Sequence, residues 1–207
     1  MAVRTRSSMT DLALVAVFAG MLAALTLAPA IPVGALGVPI TLQTLGVALS
    51  GMILGPWRGG AAVLLYLVLG FAGLPIFAQG AGGLGVFARP SIGYLLAFPL
   101  AAVLIGFLTR LVLRRISAPA LRGLAIFGCG LAGSFVFIHP FGITGMHLVG
   151  ALPWEVALAT GALYLPGDLI KTAVAAAIAV AVHRAFPDLA APRLAMATPT
   201  EERASAR

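Results

Sequence analysis

Between Asp11 and Arg58 the chain carries no charged side chain. A water-soluble fold has no use for such a stretch, because its loops and outer helix faces would all be apolar. The run is also too long for one bilayer crossing, which takes about 20 residues. Pro29, Pro32 and Pro39, with Gly34 and Gly37, divide it. Proline lacks an N–H and clashes with the preceding helical turn, so this cluster marks a break between two apolar helices. The whole chain keeps the same balance. Of its 207 residues, 61% are apolar and 9% charged, against about a quarter charged in soluble domains. This excludes a soluble domain and points to an all-α, polytopic membrane protein.

The breaks predict six transmembrane helices, at about 10–28, 41–55, 58–74, 91–113, 121–138 and 166–186. The segment "PAIPVGALGVPITLQT" reads as an apolar loop, and Gly55-Pro56 ends helix 2. His139-Pro140 must kink or end helix 5. Beyond it, "FGITGMHLVGALPWEV" has room for another helical turn, and "WEVALATGALY" for a short amphipathic piece. Pro166 opens helix 6, where a first-turn proline costs no hydrogen bond. The "APA" at Ala28–Ala30 resembles a signal-peptidase site, but the run from Leu12 to Leu27 is long for a signal core, so a retained first helix is expected. The expected organisation is a cytoplasmic N-terminus over 1–9, a six-helix membrane domain over 10–186, and a flexible cytoplasmic tail over 187–207.

Six spans put both termini on one side. There lie Arg4, Arg6, Arg58, Arg110, Arg114, Arg115, Arg122, Arg184, Arg193, Arg203 and Arg207, which is 11 of the 13 basic residues. That face is the cytoplasmic one by the positive-inside rule. The reading is a multi-pass protein of the cell inner membrane with both termini cytoplasmic. The net charge of +7 then reports orientation. The basic residues form no stripe with aromatics, so no nucleic-acid partner is expected.

Arg89 and Lys171, the chain's one lysine, fall on the other side with Glu155 and Asp168. Orientation gives no reason for basic residues there, and charge near hydrocarbon is costly unless paired or facing a cavity. Asp168 and Lys171 are three apart, hence neighbours on one helical face. Two readings stay open. In one, Asp168 caps the helix, Lys171 pairs with it and Arg89 snorkels to headgroups. In the other, the three line an outward-facing pocket for a small, polar, anionic ligand. Beside Arg89, "QGAGGLGVFARP" contains Gly80, Gly82 and Gly85 in a G-x-G-x-x-G pattern. A dinucleotide turn needs a strand before it and a helix after it. This one follows a membrane helix, so its glycines serve close backbone approach. Gln79 adds an amide able to donate and accept.

Other chemistry has little support. Cys129 is the only cysteine, and His139, His147 and His183 are scattered, so no metal site is expected. Ser91 has no evident His/Asp partner, and no G-x-x-x-x-G-K-[ST] loop occurs. An intramembrane enzyme is therefore the weaker alternative, and no cofactor is expected.

The motifs "GVPITLQTLGVALSGMILGPWRGGAAVLLYLVLGFAGLPIFA", "GAGGLGVFARPSIGYLLAFPLAA" and "LPGDLIKTAVAA" resemble the BioY family, the biotin-specific S components of energy-coupling factor (ECF) transporters. The resemblance covers about residues 10–186 and implies a six-helix subunit that captures biotin from outside. The implied partners are biotin, a transmembrane coupling subunit, ATPase subunits and membrane lipid. It implies a pocket closed by the loops between helices 1 and 2 and between helices 3 and 4. Asp168 and Lys171 fall on its "PGDxxK" positions, Arg89 and Gln79 on the second loop. For biotin, a lysine can donate to the ureido carbonyl and an aspartate can accept from an N–H. Tyr94, Tyr164 and Trp154 are candidate apolar walls, and Arg89 either holds the carboxylate or pairs with Asp168. The resemblance also gives helix 1 a docking role, carried by Ala19-x-x-x-Ala23, because small residues four apart let a second helix approach. An S component for another vitamin, such as thiamine or riboflavin, is the nearer alternative.

Overall fold

The chain forms eight α-helices among the residues that the computed structural model describes, 8–33 and 38–186. They are α1 (Ser8–Leu27), α2 (Gln43–Leu54), α3 (Pro56–Phe71), α4 (Ile92–Arg115), α5 (Pro119–Gly133), α6 (His139–Leu148), α7 (Trp154–Ala162) and α8 (Leu165–Ala185). Four runs are long and apolar enough to cross a membrane: α1, α4, the joined α5–α6 and α8. Helices α2 and α3 are apolar but shorter, at 12 and 16 residues. Helix α4 sits at the centre and packs on α2, α3, α5 and α6. Outward-facing Leu64, Val68, Phe107, Leu124, Phe135 and Ile170 leave the bundle apolar all round, as lipid contact requires. The expected N-terminal segment before Ser8 and the tail from Pro187 lie outside the described residues.

Proline and glycine set most boundaries. Gly55, at φ 78°, closes α2, and Pro56 begins α3. Since Pro56 has no N–H, the Met52 carbonyl lacks its usual helical donor. His183 Nε2 donates to it instead, at 2.8 Å, and ties the end of α8 to α2.

One sequence expectation needs correction, and one open alternative is resolved. The segment between α1 and α2 is more than a loop. Ile31–Val33 (β1) and Val38–Ile40 (β2) pair antiparallel, so the fold carries one small hairpin beside its helices. At His139-Pro140, where a kink or an end was expected, the helix distorts and continues. Pro119–Leu148 is one apolar run, with a π turn at Ser134–Ile138 just before the proline. The wider turn accommodates a residue that can neither donate nor fit against the preceding carbonyl. Downstream, α6 meets α4 backbone to backbone. A side chain on Gly93 would run into the Phe141 carbonyl, and one on Gly145 would lie 2.8 Å from the Gly93 nitrogen. Small residues at this crossing permit that approach.

Candidate functional site

At the hairpin end of the bundle lies a cavity of about 300 Å³. Its wall comes from β2 and the turn into α2, the α3–α4 loop, the first turns of α4, and the start of α8. Six of the seven expected ligand residues line it: Gln79, Arg89, Tyr94, Tyr164, Asp168 and Lys171. Trp154 does not. It stacks on His147, with ring centroids 4.1 Å apart, and is 46% exposed. The physical reason is that α7 lies beyond the cavity, beside the end of α6.

Asp168 organises the floor. The pattern Leu165-Pro166-Gly167-Asp168 starts α8 with its proline in the first turn. The expected cap is not formed: Tyr164 is the capping residue, without a side-chain bond, and the Asp168 carboxylate turns to other helices. Its Oδ1 accepts from Lys171 Nζ (2.6 Å) and from Thr44 Oγ1 (2.9 Å). Its Oδ2 lies 3.2 Å from His139 Nε2, near enough for a charge contact but off the line of a good hydrogen bond. All three ionisable side chains are largely buried. Burying a carboxylate without partners would be prohibitive, and here each oxygen faces a basic or hydroxyl group. Lys171 Nζ also donates to the Thr41 carbonyl at 3.0 Å, reaching from α8 to the end of the hairpin segment.

Among the described residues, Arg89 forms no ion pair with Asp168 or another acid. It sits exposed at the end of a short 3₁₀ turn, Leu84–Ala88, on the cavity's rim. The Asp168 oxygens face Lys171, Thr44 and His139 instead. Gln79 occupies the left-handed region at φ 61°, with Gly80 at φ 68° after it. This tight turn lets the Phe77 N–H meet the Ala81 carbonyl at 2.9 Å. Of the G-x-G-x-x-G glycines, Gly82 is the one at a close backbone approach, Gly80 serves the turn by its positive φ, and Gly85 has open space around it. A side chain at Gly82 would run into the Leu74 carbonyl, and the Gly83 N–H bonds the Gly70 carbonyl at 2.7 Å, pinning the loop to α3.

Sequence reasoning missed a second polar group beneath the hairpin. Gln43 Nε2 donates to Tyr66 OH (2.8 Å), which donates to the Ile76 carbonyl (3.0 Å), while Thr41 Oγ1 donates to Gln43 Oε1 (3.0 Å). The signal was the polar run Thr41, Gln43 and Thr44 inside an otherwise uncharged stretch. The walls between these groups are apolar, with Phe77, Val86, Leu95 and Phe98 facing the space. Tyr94 and Tyr164 meet edge to face at 5.9 Å, and Tyr164 OH donates to the Val38 carbonyl of β2 at 3.0 Å. The arrangement can hold a small molecule by one polar end on Asp168 and Lys171, an apolar middle, and a rim cation. No nucleophile and base are brought together around it, and no metal-ligand cluster occurs among the described residues.

The expected docking pair on α1 is misplaced. Ala19 is 4% exposed and belongs to the core with Leu22 and Tyr66, and Ala23 packs against the same cluster. The small residues that α1 exposes are Ala13, Ala16, Gly20 and Ala24. The four-residue spacing persists, but on the neighbouring face.

Known proteins resemble the chain in sequence and in fold. The BioY family profile matches residues 1–188. The biotin transporter BioY of Rhizobium etli is 38% identical over 184 residues, covering 89% of this chain and 98% of that protein. The protein of the same name from Rhodobacter capsulatus is 39% identical over 186 residues, covering 86% and 95%. Among solved structures, the S-component for biotin from an ECF-type ABC transporter superposes with a TM-score of 0.77 at 28% identity, covering 88% of this chain and 95% of that one. With a shared profile over nearly its whole length and relatives matched almost end to end, the chain belongs to the BioY family.

Proposed function

We propose that this chain is the biotin-capturing S component of an ECF-type transporter, taking biotin from the outer face of the cell inner membrane. Family membership makes it a transport protein and not an enzyme. The observation that carries the reading is the buried Asp168–Lys171 pair on the cavity floor. Lys171 spends one N–H on Asp168 and one on the Thr41 carbonyl. An ammonium has three, which leaves one for a ureido carbonyl. Asp168 Oδ2 keeps a lone pair for a ureido N–H. The apolar walls suit the ring and chain of biotin, and Arg89 on the rim suits its carboxylate.

In this reading the spans are α1, α2, α3, α4, the joined α5–α6, and α8. The arginine-rich ends are cytoplasmic with both termini, and the cavity opens outward. The chain has no phosphate-binding loop, so ATPase subunits energise import through a membrane coupling subunit. The docking face for that subunit is the exposed α1 stripe Ala16, Gly20 and Ala24.

Equilibrium binding of labelled biotin to the purified chain tests the proposal. Lys171→Ala should weaken binding by about 2–4 kcal/mol, or roughly 30-fold to several hundredfold. Unlabelled thiamine or riboflavin should not compete. Full affinity in the variant removes the site assignment, and competition by another vitamin removes the ligand.

A further inference from the structure

His139 takes no part in the cavity wall, yet it is the basic group behind Asp168, facing Oδ2 from α6. Its own helix would not put it there if it were regular. Ser134 is buried on the inner face of the same run, as are Gly130 and Gly133 before it. Five residues of regular α-helix turn by about 500°, so His139 would point about 140° away from Ser134. That direction is the outer flank, where Phe135 and Val136 are exposed. The π turn changes the register. The His139 N–H reaches back five residues to the Ser134 carbonyl, and the extra residue absorbs about 100° of the excess. His139 therefore stays on the buried face with Ile138 and Gly142.

The two ends of the carboxylate are held differently. Lys171 and Thr44 both address Oδ1, and His139 addresses Oδ2. Two donors on one oxygen leave the carboxylate free to turn about its last bond. A third group across from them, the His139 ring 3.2 Å from Oδ2, limits that turn. Without it, the carboxylate can swing both oxygens onto the Lys171 ammonium, closing the pair on itself and withdrawing the N–H that a ligand would use.

We propose that His139 is a positioning residue for ligand recognition: placed by the π turn, it holds Asp168 Oδ2 so that Asp168 and Lys171 keep one acceptor and one donor open to the cavity. The role rests on the biotin reading above, and the experiment separates the two. Biotin binding is measured on the purified full-length chain for His139→Leu, His139→Phe and His139→Gln, each with Asp168 and with Asp168→Asn. The apolar variants should lose about tenfold or more in affinity. Gln, which restores an N–H at the end of its side chain, should recover most of that loss. In the Asp168→Asn background the penalty of His139→Leu should shrink below threefold. Full affinity in the apolar variants, equal loss in Gln and Leu, or an undiminished penalty in the Asn background overturns the role. Should the apolar variants not fold, the parent still decides. The chain has three histidines, so ¹⁵N-histidine spectra resolve each ring, with His139→Gln identifying its signal. Asp168→Asn should move the His139 ring nitrogens, and an unmoved signal overturns the contact. A parent that binds no biotin, yet shows that shift, overturns the ligand reading alone and keeps the contact.

Discussion

The two ends of the bundle use charge in opposite ways. At the hairpin end the charged groups are few, and those on the cavity floor are buried against one another: Asp168 with Lys171 and His139. At the other end arginines are numerous and range from exposed to partly buried. Arg114, Arg115 and Arg184 are exposed, and Arg58 meets Asp11 at 3.4 Å. Electrostatics works in water at one end and in a nearly dry site at the other. An exposed ion pair contributes about 0–1 kcal/mol, whereas breaking a buried one leaves an uncompensated charge. In the proposed reading, numbers of charges report orientation, and burial of charges reports recognition.

The sharpest way to break this contrast is Asp168→Ala. It leaves Lys171 and His139 buried without their acceptor, so thermal unfolding in detergent should show a loss of about 3 kcal/mol or more, with biotin binding lost as well. An unchanged melting point would mean that the floor is wet and the two ends are alike. Midway along the bundle, Gly20→Trp fills a position with open space around it. Biotin binding should survive while uptake with the coupling module falls about tenfold or more, since a large residue blocks close helix approach. Normal uptake would clear this face of any docking role. Tyr164→Phe removes the bond to the Val38 carbonyl and should cost about 1 kcal/mol, a roughly fivefold loss of affinity by way of the hairpin. At the arginine end, Arg115→Gln should change melting and affinity by less than about 0.5 kcal/mol. A larger effect there would erase the distinction.

Much of the architecture was legible because proline, glycine and uninterrupted apolar runs act locally. The helix ends predicted at Gly55-Pro56 and Pro166 lie where the structure has them. Asp168 and Lys171 could be joined because three residues of helix separate them. What resisted reading was long-range or rotational. The hairpin has strands of three residues, too short for an alternating pattern to register. Helix α1 is apolar on nearly every side, so no periodicity says which small residues face inward, and Ala19 was placed on the wrong face. Trp154 was assigned to the pocket as an apolar wall, and neither its residue type nor its place in the sequence encodes that α7 lies beyond the cavity. His139 stood in a greasy run before a proline, and its partner is on another helix. Only the third dimension relates them.

The π turn before Pro140 has a consequence for how this protein tolerates change. Replacing that proline with alanine would return an N–H to the ladder and favour the narrower, standard helix. By ordinary propensity scales the segment would improve. Yet every side chain past the turn would swing by about 100°, and the imidazole would leave the carboxylate for the lipid side. If His139 positions Asp168 as proposed, local ideality and ligand capture pull against each other here, and the irregular backbone is the one that serves function.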